Sequence, residues 1–101
     1  MKDRIAALAG ALLVAVAPPA LGATFRAEVE GDALVVYSTS KKDEACYSMV
    51  TFSFKSGDER IIRRFVCNTI ARAQEDFRFC ERKDPEFVDL KIEGPVTGTC
   101  G

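Results

Sequence analysis

Beyond residue 23 the chain alternates apolar and polar residues with a period of two, the pattern of half-buried β-strands. In Thr24–Glu30, Phe25, Ala27 and Val29 alternate with Thr24, Arg26, Glu28 and Glu30. Gly31-Asp32 reads as a tight turn. Ala33–Thr39, rich in β-branched and aromatic residues, reads as the second arm of a hairpin. Ser40 to Glu44 is a polar, charged loop. Ala45–Lys55 carries the strongest strand signal: Cys46, Ser48, Val50, Phe52 and Phe54 share one face, and Tyr47, Met49, Thr51, Ser53 and Lys55 share the other. Ser56-Gly57 is a turn pair, and Glu59–Asn68 is the return strand, with Ile61, Phe65 and Cys67 on one face. Thr69–Glu75 favours helix in composition but is too short to hold one, so it is expected to be a crossing loop with at most one helical turn. Asp76–Arg82 alternates again, with Phe77 and Phe79 together. Lys83–Glu86 contains Pro85 and is a turn, because proline cannot donate to a central ladder. Phe87–Glu93 is the last expected strand, with Val88, Leu90 and Ile92 inward. Gly94-Pro95 breaks it, and a Gly/Thr tail carries Cys100.

The first 23 residues follow a different rule. Met1-Lys2-Asp3-Arg4 is a short basic head, Ile5 to Ala17 is an uncharged apolar run, Pro18-Pro19 breaks it, and Ala20-Leu21-Gly22-Ala23 offers small residues to a signal peptidase. The run is shorter than the roughly 17–25 apolar residues that span a bilayer. It therefore reads as a removable export signal, cleaved after Gly22 or Ala23, with no stable membrane insertion afterwards. No cysteine lies near the junction, which argues against a lipid anchor. The periplasm is the first expected destination and secretion the second. Residues 24–101 form one domain.

Six short strands with turn signals about every ten residues indicate an all-β fold. A small antiparallel β-sandwich of immunoglobulin-like architecture, stapled by two disulfides, is expected; that architecture carries no function with it. A domain this small has a marginal core and needs cross-links. Its four cysteines, Cys46, Cys67, Cys80 and Cys100, allow three pairings. If Ser56-Gly57 is a two-residue loop, Phe52 faces Ile61, Ser48 faces Phe65 and Cys46 faces Cys67. Opposed Cα atoms lie roughly 4.5–5.5 Å apart, within disulfide range. A three-residue loop would instead pair Phe52 with Ile62. The favoured pairing is Cys46–Cys67 with Cys80–Cys100. The same register puts Arg63 opposite Val50 on the core face, which requires a sheet edge or a bulge there.

Composition narrows the chemistry. The chain has no histidine, so Ser-His-Asp, Cys-His and histidine-based zinc sites are excluded. The cysteine spacings contain no Cys-x-x-Cys, and an oxidising compartment favours disulfides over thiolate ligands. No metal or cofactor is expected. The acidic residues fall in turns and loops, where solvated charge is the ordinary reading, so no catalytic residue is assigned. Of 14 basic and 15 acidic residues the signal takes Lys2, Arg4 and Asp3, leaving a net charge of −2. That balance gives no footprint for nucleic acid.

One feature stands out. Arg60, Ile62, Arg64 and Val66 share the outward face with Tyr47 and Met49, a blend of aromatic, Met, aliphatic and Arg side chains typical of interaction surfaces. The alternative is that a second sheet or the crossing loop covers the apolar residues while the arginines reach water. The expected role is a non-catalytic domain that binds a protein or cell-envelope partner through this face. The alternative role is an inhibitor of a secreted hydrolase, such as a protease or lysozyme, presenting the 40–44 or 69–75 segment as a rigid loop.

Overall fold

The computed structural model describes residues 22–101, so the export-signal reading lies outside the described residues. Among the described residues seven antiparallel strands follow in order: β1 (Thr24–Glu30), β2 (Ala33–Thr39), β3 (Glu44–Ser56), β4 (Glu59–Ala71), β5 (Phe77–Lys83), β6 (Val88–Ile92) and β7 (Thr97–Cys100). They form two sheets. One has the order β1-β2-β5. The other has the order β4-β3-β6, with β7 pairing β3 further along the edge that β6 occupies. The fold is all-β and sandwich-like, with two disulfides and no free cysteine.

The core lies between the sheets and draws on both. Leu34, Val36 and Phe79 come from the first sheet; Val50, Phe52, Phe54 and Leu90 come from the second. Phe87 is buried although it precedes β6. Its ring meets Phe52 at 5.3 Å and Phe54 at 5.0 Å between centroids. Asp84 shapes the turn that delivers it: the Phe87 amide donates to the Asp84 carbonyl, and the Glu86 amide donates to the Asp84 carboxylate.

The first hairpin has the expected boundaries. Gly31 takes a φ of 68° at the first central position, which the two-residue hairpin loop requires and a Cβ would disfavour. The second hairpin differs from expectation. Ser56 pairs with Glu59, so Gly57-Asp58 is the loop, with Gly57 at a φ of 61°. The register moves by two residues: Phe52 faces Arg63, Ser48 faces Cys67 and Cys46 faces Thr69. An even shift keeps every side chain on its expected face but changes its neighbour. It takes Cys67 out of reach of Cys46.

The expected disulfide pairing is therefore wrong. Cys46 joins Cys100, its direct partner in the β3–β7 ladder, with Cα atoms 4.0 Å apart. Cys67 joins Cys80 across the sandwich, with Cα atoms 6.5 Å apart. A bulge makes the second bridge possible. Val36 pairs with Cys80 and Tyr37 with Arg78, which leaves Phe79 as an extra residue in β5. Phe79 and Cys80 can then both reach the core, where strict alternation would turn one away.

Three further expectations are corrected. Thr69, Ile70 and Ala71 continue β4, because β3 extends far enough to pair with them; the crossing loop is only residues 72–76. The Gly/Thr tail becomes a seventh strand, held to β3 through Cys100. Val88 faces outward opposite Lys55, because β6 gains a residue at Asp89, which adopts a φ of 53°. Asp tolerates this left-handed conformation better than most residues. Arg63 resolves as a sheet-edge residue: the β3–β4 register has no irregularity, and Arg63 is exposed on the edge strand.

Candidate functional site

The outer face of the β4-β3-β6 sheet gathers all six residues singled out from the sequence. The β3–β4 ladder pairs Met49 with Val66, Thr51 with Arg64, Ser53 with Ile62 and Lys55 with Arg60, while Tyr47 lies beside Asn68. By parity these side chains all point away from the core. Ile62 is 63% exposed, Val66 50% and Tyr47 42%. Ile70, 42% exposed, belongs to the same face; strand alternation would have identified it had β4 been extended to Ala71.

The observed register sorts this face into two halves. Tyr47, Met49, Val66 and Ile70 form an apolar end, flanked by a shallow groove of about 190 Å³ between Tyr47, Asn68 and Thr99. The other end carries the exposed Ile62 and Val88 among charges that are tied together. Arg60 donates to the Ser53 hydroxyl at 2.9 Å and to the Asp89 carbonyl at 3.0 Å, and it forms an ion pair with the Asp89 carboxylate. Ser53, fully buried, donates to Glu93. Arg60 is thus a fixed part of the sheet. Arg64 makes no ion pair among the described residues, and it stands where the two halves meet.

The outer face of the other sheet is built to the opposite effect. Its rows read Arg26–Tyr37–Arg78, Glu28–Val35–Glu81 and Glu30–Ala33–Lys83 across β1, β2 and β5. The apolar middle column is covered by long charged neighbours, so Val35 is 0% exposed although it lies on the outer side. The Arg26 guanidinium sits 4.3 Å from the Tyr37 ring centroid and pairs with Glu28 and Asp76. Arg78 pairs with Glu30 and Glu81, both at 3.1 Å. The Tyr37 hydroxyl donates to Glu30. That bond, followed by the Arg78 bond, holds the Glu30 carboxyl below its ordinary pKa, and it raises the Tyr37 phenol above its own.

The two segments proposed as inhibitory loops lie side by side at one end. Asp43 accepts from the Ala73 amide at 2.8 Å and from Arg72 at 3.1 Å, which together lower its pKa. Ser40 donates from its amide to the Gln74 carbonyl, and Asp76 from its amide to the Thr39 hydroxyl. A cleft of about 540 Å³ opens beside them, lined by Thr24, Thr39, Lys41, Lys42 and Glu44 among others. Glu44, Cys46 and Cys100 lie close enough to share a metal ion, but both sulfurs are spent in the disulfide and offer no thiolate.

Comparison with protein-family models, with curated proteins and with solved structures finds no match for this chain. Among the described residues no helix is long and apolar enough to cross a membrane. Two formed disulfides fit folding in an oxidising, extracytoplasmic compartment.

Proposed function

We propose that this chain is a small exported domain, periplasmic or secreted, that binds another protein or a cell-envelope component through the outer face of the β4-β3-β6 sheet and performs no catalysis of its own. One observation carries the reading: the contrast between the two outer faces. The first sheet buries its outward Val35 and half-covers Tyr37 with paired charges, whereas the second leaves Tyr47, Ile62, Val66 and Ile70 open. A chain that covers one apolar column with arginines and glutamates, yet exposes aromatic and aliphatic side chains on the other, fits a surface kept for a partner. An immunoglobulin-like assignment draws support from the first, second and fifth strands forming one sheet, as strands A, B and E do. The fourth strand has joined the third in the opposite sheet, and the last strand pairs the third.

The test is a paired measurement on Arg64→Glu. Arg64 is exposed, so reversing its charge should leave the thermal melt nearly unchanged. At an interface the same change reverses the charge that a partner meets at the border of the apolar residues, so capture from periplasmic extract should fall. Unchanged melt with unchanged capture would remove this face from consideration. Intact mass of the exported protein should show loss of the first 22 or 23 residues.

The inhibitor reading keeps one observation in its favour. Asp43 clamps the 40–43 loop to the 72–76 loop, which makes a pre-ordered projection with Lys41 and Lys42 exposed on it. Substitution of Lys41 and Lys42 by Ser, assayed against a panel of secreted proteases and lysozymes, distinguishes it.

A further inference from the structure

We infer that β4 is a self-pairing edge, and that two copies of this chain join through it into one continuous sheet with a two-fold axis at Val66. The inference does not depend on the partner-binding reading, because it rests on the backbone groups of the sheet edge, although Ile62, Val66 and Ile70 belong to the outer face as well. Among the described residues β4 pairs only with β3, over all 13 of its residues. Ser56 and Glu59 close a two-residue loop, so they are a hydrogen-bonded pair. By alternation the odd-numbered residues of β4 bond to β3, and the even-numbered ones aim their N–H and C=O groups away from the sheet. From residue 60 to residue 70 this is a long unpaired ladder, the kind of edge that templates another strand.

The side chains on that edge select both the occupant and the register. The exposed apolar residues Ile62, Val66 and Ile70 are spaced symmetrically about Val66. In an antiparallel pair centred on Val66, Ile62 of one copy lies beside Ile70 of the other, Val66 lies beside its own copy, and Arg64 lies beside Asn68. The opposite side of the strand places Arg63 beside Thr69 and Phe65 beside Cys67. Arginines oppose each other in two of the competing arrangements. Parallel in-register stacking sets Arg60, Arg63 and Arg64 each on its own copy. Antiparallel pairing centred on Ile62 sets Arg60 against Arg64. Centring on Phe65 removes that conflict but puts Ile62 against Asn68. In the Val66-centred pair like charges approach only at the ends, where Arg60 meets Arg72. Each of those already has a carboxylate partner, Asp89 and Asp43. The arginines therefore disfavour the parallel and Ile62-centred arrangements, and the matching of Ile62 with Ile70 selects Val66 over Phe65 as the centre. Only one strand edge is buried, so the dimer should be weak and concentration-dependent.

The test uses the exported, oxidised protein. Sedimentation velocity over a concentration series should show monomer and dimer in exchange. Hydrogen-bonded partners have Cα atoms about 5.5 Å apart, so Val66→Cys should cross-link to its own copy on oxidation. Ile62→Cys and Ile70→Cys should not cross-link alone but should do so when mixed. Val66→Pro removes an N–H the monomer does not use and should weaken dimerisation by at least roughly tenfold, while Val66→Thr should retain it. A protein that stays monomeric at the highest soluble concentration would overturn the inference. So would Val66→Cys cross-linking no faster than Lys91→Cys, which lies on β6 at the opposite border of the sheet. Self-linking of Ile62→Cys would overturn the register. If Val66→Pro does not fold, the cross-linking pattern decides. A monomeric protein that still captures its partner leaves the face reading standing, and a dimer that captures nothing leaves this one standing.

Discussion

Gly98 is the position where one added methyl group should matter most. It lies in β7 opposite the buried Ser48. A Cβ built there would sit 2.5 Å from both Cδ2 and Cε2 of Phe25 and 3.1 Å from the Tyr47 carbonyl oxygen. Carbon atoms rest about 3.5–4.0 Å apart, so the Phe25 ring would have to retreat by about 1 Å or more. Its movement is constrained by Phe79, whose ring packs against it in a T-shaped contact at 5.2 Å between centroids. The Tyr47 carbonyl belongs to the central strand of its sheet and is fixed by pairing on both sides. Overpacking of this kind costs roughly 1–3 kcal/mol. Gly98 has an ordinary φ, so alanine also stiffens the unfolded chain and returns about 0.4–1 kcal/mol. The net loss is of order 1–2 kcal/mol, or roughly 4–16 °C in melting temperature for a domain of this size. Calorimetric melts of Gly98→Ala, Phe25→Ala and the double variant measure it directly. With the ring removed the methyl has space, so Gly98→Ala should be neutral or stabilising in the Phe25→Ala background. Gly94→Ala, which meets open space, is the control. Equal cost of Gly98→Ala in both backgrounds would refute the contact.

Three other outcomes are expected. Non-reducing peptide mapping should find Cys46 linked to Cys100 and Cys67 linked to Cys80. Replacing the first pair by alanine should cost about 4 kcal/mol and the second about 3, since they close loops of 54 and 13 residues in the chain-entropy model. Ser48→Ala should raise the melting temperature, because the buried Ser48 hydroxyl has no hydrogen-bond partner and its removal relieves a desolvation penalty of order 1 kcal/mol. The Glu30–Tyr37 bond should confine stability to a pH window. Glu30 is depressed, so its contribution is present above about pH 4 and lost as pH falls through its folded value; Tyr37 is raised, so its contribution is present below about pH 10 and lost as pH rises through its folded value. In Tyr37→Phe the Glu30 carboxyl titration, followed by NMR, should move up toward the ordinary range; an unmoved midpoint would sink the assignment.

How much of this was legible in the sequence depended on turns. The first hairpin came out residue for residue because Gly31-Asp32 is the only turn pair between two clear strands. The second hairpin offered Ser56, Gly57 and Asp58, and alternation cannot choose between pairs that differ by an even register shift. The inward face of β3 was therefore correct while every neighbour across β4 was wrong, and with them the cysteine pairing. The repeated dipeptide was the available signal: both loops are Gly-Asp, with glycine at a positive φ in each. The bulges at Phe79 and Asp89 were invisible, because each inserts a residue without disturbing composition. β7 could not be read from Thr97–Cys100 by propensity. It is a strand because Cys100 anchors it and because Gly98 lets Phe25 approach.

The same shift determines what the outward face can do. In the expected register Arg64 would lie beside Met49 and Arg60 beside Ser53, so an arginine would flank the apolar residues of β3. The observed ladder instead sets Val66 beside Met49 and Ile62 beside Ser53, and it moves Arg60 to the far end, where Asp89 holds it. Tyr47, Met49, Val66 and Ile70 then adjoin one another, while Arg64 still separates them from Ile62 and from the held Arg60. A partner meeting this surface would bury Tyr47, Met49, Val66 and Ile70 together and meet Arg64 at the rim. Rim charges act mainly on association rate and its salt dependence, whereas buried apolar anchors act on dissociation. Arg64→Glu should therefore slow binding most at low salt, and Tyr47→Ala should shorten the life of the complex at any salt. Equal salt sensitivity for both variants would mean that the two halves are not distinct in the bound state.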